Sequence, residues 1–179
     1  MIMDTIFNDL NFRTTLSVLR TNFFIQRPFL CLPLSCSLYD MLKKQYPNRK
    51  FEIKSGNLSY KGAMIFKQDF KWRELTKDNP ADINNNDEFH SWVELDSRYI
   101  IDLSISWTIC SDVFTKPCKQ DMLKNGMRPT ATFIIDKENN DTGYFYEVVE
   151  ILPNEIFDGI LNGIAHNQEF YFGKKIEHN

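Results

Sequence analysis

Three side-chain types in this chain could together carry out acyl transfer: a thiol, an imidazole and a carboxylate. Histidine is the scarcest of them, occurring only at positions 90, 166 and 178. His178 is next to last and reads as solvated, and His166 reads as the end of a C-terminal helix. His90 stands in Phe89-His90-Ser91-Trp92-Val93-Glu94-Leu95, a stretch that predicts a strand. Asp102 follows in Tyr99-Ile100-Ile101-Asp102-Leu103. A carboxylate between Ile101 and Leu103 is expected to be at least half buried, and burial is costly without a partner. An imidazole on the adjacent strand is a suitable partner. The carboxylate then fixes the ring tautomer and favours its protonated form.

A histidine–carboxylate pair acts on a nucleophile. Cysteines stand at 31, 36, 110 and 118. The first two flank the start of a helix predicted over Pro33 to Gln45, and a helix N-terminus stabilises thiolate. Cys31, Ser35, Leu38 and Leu42 share one stripe, expected to face inward. Cys36 shares its stripe with Asp40, Lys43 and Lys44, expected to face water. The stripes favour Cys31 as the nucleophile, with Cys36 as the alternative. Ser35 is small enough to let the helix approach a sheet closely.

The pairing also constrains the hairpin. A two-residue turn at Asp96-Ser97 would put His90 and Asp102 on opposite faces. An odd connection, most simply Asp96 to Arg98 or one position earlier, or else a bulge, puts both on one face, with Asp96 able to take a left-handed conformation if one is required. Trp92 and Glu94 share the His90 face by the period of two. Trp92 is a candidate substrate-contacting wall or simple packing, and Glu94 reads as a solvated edge.

These segments resemble the transglutaminase-like branch of the papain-like cysteine peptidases. The resemblance is carried by Cys31-Leu32-Pro33-Leu34-Ser35 with Leu38 and Met41-Leu42, then His90-Ser91-Trp92-Val93-Glu94, then Ile100-Ile101-Asp102. It covers about residues 28–105. The cysteine segment is also similar to the leader peptidases that mature lasso peptides, with Leu34 where those carry arginine. The resemblance implies a cysteine helix packed against an antiparallel sheet and a Cys31-His90-Asp102 triad that forms a thioester. It implies an oxyanion site made by the Cys31 backbone N–H, with Gln26 as a second donor by analogy. The substrate would be a peptide or protein. Water as acceptor would make a peptidase, amidase or deamidase, and an amine would make a transglutaminase. The rival reading is a non-catalytic interaction module on the same fold, because each of the three residues alone has an ordinary structural explanation.

The surrounding elements read as α+β. Phe12, Leu16, Leu19 and Phe23 mark a helix over 12–24. Strands are expected at 51–54 and 58–66 with a turn at Ser55-Gly56-Asn57, and a long polar loop over 67–88. After the hairpin of 88–95 and 98–104, residues 105–127 are ambiguous apart from a short helix over 119–124. A β-β-α extension over 128–179 comprises strands 130–136 and 144–152 and a helix from Asn154 to Ala165. The whole chain, 1–179, reads as one domain.

Composition narrows the classes. The chain has 179 residues and a net charge of −3, which gives no pull toward nucleic acid or anionic membrane. The basic-aromatic run Lys67-Gln68-Asp69-Phe70-Lys71-Trp72-Arg73 reads as a loop with an anchoring aromatic or a substrate-selecting rim, rather than a nucleic-acid site. No apolar run approaches the roughly 20 residues that span a bilayer, and no signal peptide opens the chain. A cytoplasmic location with reduced cysteines is expected, with signal-independent secretion the alternative. Cys110 and Cys118 lack a zinc spacing and no phosphate loop occurs, so neither metal nor cofactor is expected. Oligomeric state is not legible.

Overall fold

The structure is a computed structural model and describes residues 5–22, 30–72, 89–129 and 132–166. Phe12, Leu16 and Leu19 form the buried face of helix α1, Leu10–Asn22. Helix α2, Cys31–Gln45, begins two residues earlier than expected. Pro33 lies in its first turn, where the leading N–H groups have no intrahelical partner to lose. Lys43 and Lys44 lie in the last turn, beside the negative end of the macrodipole. Leu32, Leu34, Leu38 and Leu42 are buried, each worth about 1.5–3 kcal/mol relative to exposure.

One sequence expectation fails here. Cys36 is fully buried and does not face water. The stripe argument assumes a helix with one wet side. Instead α1, helix α5 (Asn154–His166) and the sheet all pack on α2, and residues 31–36 are buried without exception.

The strands are β1 (Phe51–Tyr60), β2 (Ala63–Phe66), β3 (His90–Leu95), β4 (Tyr99–Asp102), β5 (Phe133–Asp136) and β6 (Tyr144–Ile151). All their pairings are antiparallel. With helices on both sides, the molecule is mixed α+β. β1 is the hub. One of its edges pairs with β6. The other pairs with β3 over residues 51–56 and with β2 over 58–60. β2 and β3 therefore follow one another along a single edge and change over at Asn57. β4 and β5 extend the sheet beyond β3. The C-terminal segment, read as an extension, thus supplies two strands of the same sheet.

The expected turn at Ser55-Gly56-Asn57 lies inside β1. The chain turns instead at Lys61 and Gly62, both left-handed at φ 48° and 81°. Gly56 marks a close approach. The register of β6 shifts opposite Ser55 and Gly56. A Cβ on Gly56 would lie 2.0 Å from the Glu147 carbonyl oxygen and 2.8 Å from the Val149 nitrogen.

Two apolar clusters flank the sheet. One joins α1, α2 and α5 to Phe51, Ile53, Val93, Leu95 and Ile101. The other joins Leu58, Trp92, Ile100 and Tyr146 to two short helices, α3 (Ile105–Cys110) and α4 (Lys119–Lys124). The first of these helices falls in the stretch that was ambiguous by sequence. Trp72 closes the described part of the 67–88 segment. It is a buried anchor, its Nε1 donating to Ser55 Oγ at 2.8 Å and its backbone N–H to Glu150 Oε2 at 2.8 Å. No helix of the described residues is long and apolar enough to cross a membrane.

The Gly56 geometry generates a test. Gly56→Ala drives a methyl group into the β6 backbone and is expected to cost at least about 1–3 kcal/mol, the usual range for overpacking. Urea unfolding of the variant measures the loss. An unchanged midpoint would show that β6 does not press on β1 at this point.

Candidate active site

His90 opens β3 and Asp102 closes β4. The connection is the three residues Asp96 to Arg98, and Leu95 pairs with Tyr99. Continuing that register sets Trp92 opposite Asp102 and places His90 diagonally beside it on the same face. Asp96 and Ser97 are both left-handed, at φ 49° and 57°. The Arg98 N–H donates to the Leu95 carbonyl at 3.0 Å. This is the sign pattern of a type I′ turn, with Arg98 as the extra residue that resets the alternation. Arg98 also grips Asp136 on β5 through Nε at 3.0 Å and Nη2 at 2.6 Å.

The His90 ring nitrogen Nε2 lies 2.6 Å from Asp102 Oδ2. Asp102 accepts four further hydrogen bonds. Tyr146 Oη donates to Oδ2 at 2.8 Å. Ser104 N–H, Ser104 Oγ and Ile105 N–H donate to Oδ1 at 2.9, 3.0 and 3.1 Å. The carboxylate therefore also caps the start of α3. His90 and Asp102 are each only 1% exposed. The His90 ring stacks on Phe66, centroids 5.2 Å apart, and lies 6.3 Å from Trp92 on a second side. Phe66 ends β2 and His90 begins β3, so this stack sits where β1 changes partners.

Cys31 is the first residue of α2, and its thiol is within hydrogen-bonding reach of the His90 ring. With Nε2 engaged by Asp102, Nδ1 is the nitrogen left to meet it. α2 packs on the Val93 and Ile101 side of the sheet, whereas His90 projects from the other side. The two meet at the end of β3 and not across its flat face. Ser35 and Ser91 sit at the helix–strand contact with their hydroxyls 3.5 Å apart. Small residues at both positions allow that approach. Leu30, the residue capping α2, makes no side-chain cap hydrogen bond. The first N–H groups of a helix have no partner within it, so those of Cys31 and Leu32 are donors that the backbone of α2 does not itself use.

Electrostatics separate the two thiols and polarise the pair. Burial pushes the Cys36 thiol far up, and neighbouring Cys31 adds to this, so Cys36 stays a neutral thiol. Burial works to lower the His90 value. The charge and hydrogen bond of Asp102, with a smaller contribution from Cys31, overcome it and raise His90 to about 10. Burial works to raise Asp102. His90, Tyr146 and Ser104 outweigh it and hold the carboxyl below its ordinary value. Tyr146 itself is pushed well above the usual phenol range by burial and by the Asp102 charge.

The structure thus brings Cys31, His90 and Asp102 together. Trp92, a candidate substrate wall, is fully buried and packs against the site from within the core, its ring 5.0 Å from that of Tyr146. Glu94 is buried and pairs with Lys137 at 2.9 Å, so it is no solvated edge. Gln26 and His178 lie outside the described residues. His166 is exposed, its Nδ1 2.7 Å from the Asn162 carbonyl oxygen. Sequence reasoning missed Tyr146, Ser104 and Phe66. The alternation Tyr144-Phe145-Tyr146 marked an inward aromatic face, but nothing tied it to Asp102. Among the described residues no group of three His, Cys, Asp or Glu side chains could hold a metal ion.

Linkage gives the site a pH signature. Unfolded histidine titrates near its model value of 6.5, and folded His90 near 10. Its raised value contributes stability that is complete below pH 6.5 and lost as pH rises toward 10. Asp102, lowered from 3.8, contributes stability present above pH 3.8 and lost as pH falls through its folded value. The stability difference between the wild-type chain and Asp102→Asn is therefore expected to be largest near pH 5 to 6 and to shrink steadily up to pH 10. Urea titrations across that range measure it. A difference that grows with pH would contradict the charged pair. Comparison with known proteins yields no matching family model, no matching curated protein and no matching solved structure.

Proposed function

We propose that the protein is a cysteine-dependent acyl-transfer enzyme of the transglutaminase-like kind, hydrolysing an amide or peptide bond through Cys31, His90 and Asp102. The observation that supports this best is the shared imidazole. The His90 ring is fixed by a buried carboxylate at 2.6 Å, and a thiol at a helix start adds to the same ring's raised pKa. An ordinary structural ion pair has no use for the thiol.

In this reading the Cys31 proton passes to His90 Nδ1, giving a thiolate beside an imidazolium. The thiolate sulfur attacks the amide carbonyl carbon. The developing oxyanion is met by N–H groups at the start of α2, among them that of Cys31. His90 then delivers its proton to the leaving nitrogen as the C–N bond breaks, which leaves a thioester on Cys31. Water gives a proton to His90 and attacks the thioester. The C–S bond breaks, the acid departs and the thiolate returns. An amine in place of water would give a transferase by the same steps. Asp102 remains ionised throughout and holds the ring, with Tyr146 and Ser104 holding Asp102.

One observation favours a second reading. Cys31 is 5% exposed and His90 1%, so a non-catalytic interaction module with a sealed ion pair also fits. Thiol reactivity separates the two. Under the enzyme reading a small chloroacetamide labels Cys31 at neutral pH faster than Cys110 or Cys118. His90→Ala then slows that labelling by at least about tenfold, within the usual range for loss of a general base. Cys36 reacts only on unfolding. Mass-spectrometric mapping of the labelled peptides measures all four thiols. Slow labelling of Cys31 that His90→Ala leaves unchanged would favour the module.

A further inference from the structure

Arg13 and Arg20 lie seven residues apart on α1, which is two turns. They share one face and sit about 10 Å apart along the axis. Leu16 lies between them. Trp107 of α3, Pro129 and Thr132 face this side of α1. Together these residues line an open cleft of about 500 Å³, within the range of small-ligand sites.

The charges in the cleft are unbalanced. Arg20 is partly buried and donates through Nη1 to Thr132 Oγ1 at 2.7 Å and through Nη2 to the Pro129 carbonyl at 3.4 Å. Arg13 donates through Nε to the Phe7 carbonyl at 3.1 Å and through Nη2 to Asn8 Oδ1 at 3.1 Å. Every one of these acceptors is neutral. Among the described residues neither guanidinium forms an ion pair with a carboxylate. Burial also pulls Arg20 below its ordinary value, and among the described residues no anion opposes it. Each guanidinium has five N–H donors, so both retain donors for an incoming anion.

We propose that this cleft binds an extended peptide segment bearing two carboxylates four residues apart, with an apolar side chain midway between them. In an extended chain residues four apart face the same way, and at about 3.3 Å per residue they span about 13 Å, which flexible side chains adapt to the roughly 10 Å between the arginines. Leu16, Trp107 and Pro129 form the apolar floor for the intervening side chain. The net charge of −3 repels a polyanion such as nucleic acid at long range, whereas two carboxylates are matched one to one by the two arginines. The site does not depend on the acyl-transfer reading and stands whether or not Cys31 reacts.

Fluorescence anisotropy with the full chain and a labelled peptide, Ser-Glu-Ala-Leu-Ala-Glu-Ser, tests the proposal against the same peptide with both glutamates replaced by glutamine. The glutamate peptide is expected to bind at least about tenfold tighter, with affinity falling as salt is raised. Arg20→Gln should lose most of that preference. Because Arg20 also holds residues 129 and 132, Arg13→Gln serves as a second variant, and it too should lose at least about fivefold. Equal binding of the two peptides, no binding of either, or full preference retained in Arg13→Gln would overturn the proposal. So would inorganic phosphate displacing the peptide at lower concentration than a free dicarboxylate does, which would make this a phosphate site.

Discussion

The arrangement of this molecule turns on one buried carboxylate. Asp102 sits almost wholly out of water, where an unpaired charge would be prohibitive. It survives by accepting five hydrogen bonds from groups far apart in the chain: His90 on β3, Tyr146 on β6, and Ser104 and Ile105 at the start of α3. Each donor is thereby fixed relative to the others. The same demand that makes burial costly ties three elements to one point and leaves the His90 ring a single orientation.

The sheet is built to deliver that point. A three-residue connection with two left-handed residues sets the β3–β4 register so that His90 and Asp102 share a face. The exchange of β3 for β2 along β1 puts His90 at a strand end, where Phe66 covers it and the first residue of α2 can reach it. Gly56 lets β6 press close enough to β1 to carry Tyr146 in toward Asp102. The paired serines, Ser35 and Ser91, let α2 settle on β3. None of these devices does chemistry, yet each sets a distance within the site.

How far the sequence could be read follows from which signals are local. Burial of Asp102 was legible from its apolar neighbours, and the parity of the hairpin from the need to pair it with His90. The inward stripe of α2 was legible from its spacing. Cys36 was misread because the two helices that cover α2, α1 and α5, are tertiary facts absent from its own periodicity. The turn expected at Ser55-Gly56-Asn57 was misread because its small residues serve a close strand contact with β6, more than ninety positions onward. For Trp92 the packing reading holds, whereas Glu94 was misjudged for a related reason: alternation says which side of a strand a residue faces, not whether that side is covered. Tyr146 was missed because a hydrogen bond across forty-four residues leaves no mark in composition.

The central claim is that Asp102 and Cys31 hold His90 as an imidazolium in the folded protein at neutral pH. Nitrogen-15 NMR of the histidine rings, followed through a pH titration, reads this directly. The account predicts that His90 carries protons on both ring nitrogens at pH 7 to 8 and loses one only toward pH 10, and that Asp102→Asn brings the transition down. A His90 ring that is neutral at pH 7, or that titrates near 6.5 with or without Asp102, would contradict it.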